Sequence, residues 1–159
     1  MHWRDDEQLR GRLHAEYPDD LQVIVHDGNP RRSGHAPEAV WARIVDSAVD
    51  HYVAVCLNRP QAVTAVGEGD TFRFRVSSTA DVPFLVTDQY LADRAEWVVM
   101  PCGQCGFDEL FDAPSELAAA FAAQSPDGTI VELFTQFCPL CGGVQTIGSR
   151  EAMEHWDDE

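Results

Sequence analysis

Cys102-Gly103-Gln104-Cys105-Gly106 and Cys138-Pro139-Leu140-Cys141-Gly142 are two copies of one pattern, C-x-x-C-G, with 32 residues between Cys105 and Cys138. Two residues between the cysteines let both sulfurs of one tight turn reach the same ion, and the following glycine lets the backbone reverse sharply. Backbone N–H groups in such turns point at the sulfurs and disperse thiolate charge. Two turns supply four thiolates, the donor set of a tetrahedral Zn²⁺ with no position left for water. The candidate metal ligands are therefore Cys102, Cys105, Cys138 and Cys141, with one structural Zn²⁺ per chain expected. Iron accepts the same four sulfurs and is the alternative metal. A dithiol redox pair belongs at a helix start, whereas both of these pairs follow strand-like sequence.

The flanks agree with this reading. Trp97-Val98-Val99-Met100 and Thr129-Ile130-Val131-Glu132-Leu133-Phe134 read as strands running into each turn, and Val144-Gln145-Thr146-Ile147 as a strand leaving the second. Residues 97–147 thus resemble a zinc ribbon. Between the cysteine pairs, Ser115–Ala123 is alanine-rich and helical by propensity, opened by Pro114 or Ser115 and stopped by Pro126-Asp127-Gly128. A helix over 114–124 inside the ribbon is a departure from minimal ribbons and a place where function is added.

Upstream, the signal is β. Leu21–His26, Val40–Val45, Tyr52–Leu57 and Thr71–Val76 are rich in branched and aromatic residues and separated by short turns. In the last of these, Phe72, Phe74 and Val76 alternate with Thr71, Arg73 and Arg75. The expectation is a small antiparallel sheet or barrel. Asp5 and Gln8 have capping-box spacing, and Leu9, Leu13 and Tyr17 recur at helical intervals, so a short helix over 6–16 precedes it. Trp41-Ala42-Arg43-Ile44, Leu57-Asn58-Arg59-Pro60 and Gly69-Asp70-Thr71-Phe72-Arg73-Phe74 together resemble a family of small bacterial β-barrel proteins of unknown function, some of them immunity-protein-like. That resemblance covers residues 38–76 and implies that Trp41 anchors the core, Asn58 and Pro60 shape a turn, and Gly69-Asp70 form a hairpin corner. The fold expected is thus β-rich α+β: helix plus barrel over 1–95, ribbon over 96–149, and an acidic tail over 150–159.

Charge limits the partners. The 159 residues carry 27 acids against 11 cations, a net of −16, and every cation is arginine. Without lysine there is no Schiff base and no Walker lysine. Residues 96–159 hold 12 acids and only Arg150, a net of −11, so the segment that in many ribbons meets nucleic acid lacks the basic contacts this requires. A basic protein partner fits better, and direct nucleic-acid binding is not expected. No apolar run has transmembrane length, and Met1–Glu7 is acidic rather than leader-like, so no membrane association and a cytoplasmic location are expected.

The remaining reactive residues point nowhere in common. Cys56 lies in an apolar strand and reads as an inert buried thiol. His26, His35 and His51 are scattered, and Glu151 with His155 stand at i, i+4 in a possible C-terminal helix. Arg31-Arg32 and the Arg43, Arg73 and Arg75 face are the positive clusters, pairing with neighbouring strands or with an anion. Gly67-Glu68-Gly69 precedes a strand, not the helix a nucleotide loop needs. The function expected is a non-enzymatic zinc-binding interaction or regulatory module. The alternatives are a toxin-immunity-like protein and an enzyme or anion-binding protein using the arginine face.

Overall fold

A computed structural model of the chain describes residues 2–80, 82–123 and 131–157, with the backbone alone at 155–157. It divides into two compact units, Met1–Thr87 and Asp88–Glu159, so the division falls ahead of the charge step at residue 95.

In the first unit, β1 (Asp20–Val25), β2 (Glu38–Ser47), β3 (Tyr52–Cys56), β4 (Thr71–Val76) and β5 (Pro83–Val86) close a barrel in sequence order. Neighbours pair antiparallel, and the barrel shuts through a parallel pairing of β1 with β5 at Ile24 and Phe84. Period-2 alternation selects the core: Leu21, Val23, Val25, Val40, Ala42, Ile44, Ala54, Cys56, Phe72 and Phe74 all point inward. Trp41 does not. Flanked by inward Val40 and Ala42, it faces out and is 38% exposed, with its ring edge-on to His14. The turn around it forms as the motif implies: Asn58 Oδ1 accepts from Trp41 N–H at 2.7 Å, Pro60 is buried, and Gly69 sits at φ +88° with its N–H on Cys56 O. A four-residue helix, α1 (Pro30–Ser33), stands between β1 and β2.

The N-terminal segment is helical over a shorter span than its periodicity suggests. Two 3-10 turns, Trp3–Asp5 and Glu7–Leu9, replace a continuous helix over 6–16. Asp6 rather than Asp5 supplies the cap, accepting from Gln8 N–H, and Gly11 at φ +78° ends the helical path. Leu9 is still fully buried, and Leu13 packs on the barrel core, but Tyr17 is exposed.

In the second unit, α2 (Asp88–Arg94) precedes β6 (Trp97–Val99), α3 (Pro114–Ala123) follows the first cysteine pair, β7 (Leu133–Phe137) and β8 (Val144–Ser149) flank the second, and α4 (Arg150–Asp157) ends the described chain. The three strands form an antiparallel sheet in the order β6-β8-β7. Thr129, Ile130 and the stop signal Pro126-Asp127-Gly128 lie outside the described residues, as do Asp158, Glu159 and the side chain of His155. The stretch read as an acidic tail is therefore helical through Asp157.

Candidate metal centre

β6 delivers the chain to the first cysteine turn, and the second turn is the hairpin connection between β7 and β8. Because β6 and β7 both pair with β8, the sheet brings the two turns to one end. Each turn is built the same way. The N–H of the first cysteine bonds to the carbonyl five residues on, Cys102 to Phe107 and Cys138 to Gly143. The glycine after the second cysteine returns its N–H to the first, Gly106 to Cys102 O at 3.0 Å and Gly142 to Cys138 O at 2.9 Å. Both glycines take positive φ, +82° and +79°, which is why glycine must stand there.

The four sulfurs converge. All lie within 4.8 Å of one another, with Cys102 Sγ 3.4 Å from Cys141 Sγ and Cys105 Sγ 3.6 Å from Cys138 Sγ. A tetrahedral ion with bonds of about 2.3 Å separates its sulfurs by about 3.8 Å, so the cluster is already close to the required spacing. The N–H groups of Gln104, Leu140 and Gly143 point at Cys102, Cys138 and Cys141, each at 3.4 Å. Gly143 has a second role: a Cβ there would lie 2.7 Å from Cys102 Sγ, so the second turn packs directly on a sulfur of the first.

The protons are unevenly held. N–H groups of Cys105 and Gln104 bring the Cys102 thiol down to about 6, whereas burial pushes Cys138 up to about 12. A dication bound by four thiolates must displace every such proton, so its binding releases acid and weakens as pH falls. The donor set is all sulfur, which suits Zn²⁺ and Fe and not Mg²⁺ or Ca²⁺.

Behind the cysteine-bearing sheet lies a buried polar network that the sequence reading missed. Arg94 Nε lies 3.1 Å from Glu109 Oε2, and the Tyr90 hydroxyl donates to the same carboxylate while accepting from Leu110 N–H. Burial holds the Tyr90 phenol well above its ordinary range. Asp93, itself buried, accepts from Gln89 and from Ser115 N–H, and so holds the first turn of α3. Gln145 on β8 is fully buried and donates through Nε2 to Phe107 O and Glu109 O, at 2.8 and 3.0 Å. These bonds pin residues 107–109, immediately after the first cysteine turn, to the strand that follows the second. Nothing local in the sequence marks Glu109 or Gln145 as interior. Strand parity is the available signal for Gln145, which stands two residues before buried Ile147 on β8.

Cys56, His26, His35, His51 and the arginine clusters belong to the first unit and the four cysteines to the second, whose α4 also carries exposed Glu151. Cys56 is buried and donates to Asn58 O, and burial raises its thiol. His26 is also buried: Nε2 meets Leu85 O at 2.8 Å, Nδ1 accepts from Gly28 N–H, and burial lowers the ring to about 4. His35 and His51 pair with Asp27 and Asp50. Arg43 forks onto Asp20 at 2.8 and 3.2 Å, with β3 between it and Arg73, while Arg73 and Arg75 share the outer face of β4. Arg31 and Arg32 fall in α1, and Gly67–Gly69 form a turn closed by Asp70. No helix among the described residues is long and apolar enough to cross a membrane. No family model, curated protein or solved structure matches the chain, including its barrel-motif residues 38–76.

Proposed function

We propose that the second unit is a zinc ribbon with an inserted helix, holding one structural Zn²⁺ on Cys102, Cys105, Cys138 and Cys141, and that the protein works as an interaction or regulatory module rather than an enzyme. The observation that carries this is the convergence of four sulfurs within 4.8 Å, with a backbone N–H aimed at three of them. Four thiolates fill a tetrahedral ion, leaving no site for a substrate or an activated water. The chemistry of such a centre is to hold the sheet together: the metal ties the first cysteine turn to the β7–β8 hairpin, adding to the backbone bonds from Met100 N–H to Thr146 O and from Gly103 N–H to Val144 O. A net charge of −16 directs the module to basic partners.

Metal analysis of the purified protein tests the site. One zinc per chain is expected, replaced on reconstitution by Co²⁺ with the visible bands of a tetrahedral all-sulfur site. Cys138→Ser should abolish both. Iron in place of zinc would correct the metal, and protein that folds with neither would overturn the reading.

A further inference from the structure

The β6-β8-β7 sheet has two faces, and only one faces the unit's core. Phe134, Gln145, Ile147 and Val99 are buried on that side, where Phe134 meets Trp97 and Phe121. On the other side the register aligns Leu133 with Gly148, Thr135 with Thr146, and Phe137 with Val144. Met100 joins them through its N–H on Thr146 O. Here Phe137 is 67% exposed, Val144 54%, Leu133 45% and Met100 40%, against nine exposed large hydrophobics in all among the described residues. Gathering four of nine on one face of a short sheet makes a patch, which single surface hydrophobics do not.

Part of this face is covered by the chain itself. α4 lays Met153 over Gly148, so closely that a Cβ at Gly148 would meet Met153 Sδ at 2.8 Å and Leu133 Cδ1 at 3.0 Å. That helix carries exposed Glu151 and Glu154 on either side of Met153 in sequence, and exposed Glu132 precedes Leu133. The unit as a whole, residues 88–159, carries 14 acids against Arg94 and Arg150, a net of −12, and Arg94 is engaged by Glu109. A second copy would bring another unit of net charge −12, with the same exposed Glu132, Glu151 and Glu154, against this one. An apolar anchor flanked by cations meets both its centre and its rim.

We propose that this open face, centred on Phe137 and Val144, docks a positively charged, apolar-anchored segment of another protein. This rests on the interaction-module reading above and supplies its surface. Phe137 and Val144 bracket the second cysteine turn, so the same hairpin that completes the metal centre fixes the two anchors side by side.

A displayed library of random 12-residue peptides, selected on the full zinc-loaded chain, tests the proposal. Enriched peptides should combine net positive charge with at least two large apolar residues. Their binding should weaken with salt and fall tenfold or more in Phe137→Ser/Val144→Ser. Glu151→Arg/Glu154→Arg, on a different element, should also weaken them. The proposal is overturned by no enrichment, by enriched peptides that are neutral or acidic, by binding unchanged in both variants, or by self-association that Phe137→Ser/Val144→Ser abolishes. Cobalt bands recorded on each protein separate the two readings. Missing bands in the parent chain sink the metal centre; intact bands without selective binding sink the docking face alone.

Discussion

The two units hold themselves together with different materials. Residues 1–87 close a barrel around a continuous aliphatic and aromatic core, from Leu21 and Val23 through Ile44 to Phe74. Every strand in it finds two neighbours, so no edge is left over. The described residues of 88–159 form three short strands, and their interior includes Glu109, Asp93, Asp112 and Gln145. Buried polar groups specify an arrangement but add little net stability. On the zinc-ribbon proposal, the barrel stands on its apolar core, whereas the second unit relies on the metal as a cross-link.

Chelation should break that comparison most sharply. Structural zinc contributes apparent binding energies on the order of 10–16 kcal/mol, all of it folding energy for the unit that binds it. Removing the metal should expose the amides of β6, β7 and β8 to hydrogen exchange while those of β1–β4 stay protected. Equal loss of protection in both units would refute the independence of the barrel.

Between pH 6.5 and about 4, acid should strike the barrel chiefly through His26. His26 titrates at about 4 in the fold against 6.5 when free, with burial as the main cause. Because its folded value is depressed, the unfolded chain takes up the proton first, and stability is lost as pH falls from about 6.5 to about 4. The full difference is on the order of 3 kcal/mol. Urea midpoints of the metal-loaded protein, followed by exchange in β1 and β5, should drop over that window. A His26→Gln variant that flattens this dependence assigns it; an unchanged slope refutes it.

The smallest effect sharpens the view of the cross-link. Gly143→Ala places a methyl group 2.7 Å from Cys102 Sγ, so one turn must shift against the other. Metal affinity should fall roughly 10–100-fold, the range seen when groups supporting a ligand are disturbed. Competition with a chromophoric chelator measures it, and the urea midpoint of the barrel should not move.

Legibility followed the range of the forces involved. The cysteine turns were readable because ligand spacing and the positive-φ glycines Gly106 and Gly142 are local requirements. β4 was readable because Phe72, Phe74 and Val76 alternate without interruption. β5 was not: Pro83–Val86 is buried on both sides and shows no alternation. Leu9, Leu13 and Tyr17 imitate a helix although Gly11 interrupts it, and the helical spacing survives only as Leu9 and Leu13 reaching one core. Trp41 shows the limit of residue type as a guide, since its bulk suggests an interior that strand parity denies it. Glu109 and Gln145 were hidden because their partners lie 19 and 38 or 36 residues away.

The pairing of β6 with β8 also sets an order of events during synthesis. The barrel has all its strands once Val86 has left the ribosome. The first cysteine turn emerges soon after, but Val99 meets its register partner only when Ile147 appears. Throughout that interval Cys102 and Cys105 form half a site, with two thiols able to hold an ion loosely or to be oxidised. Completion of the four-cysteine cluster therefore depends on how quickly its last hairpin follows its first turn.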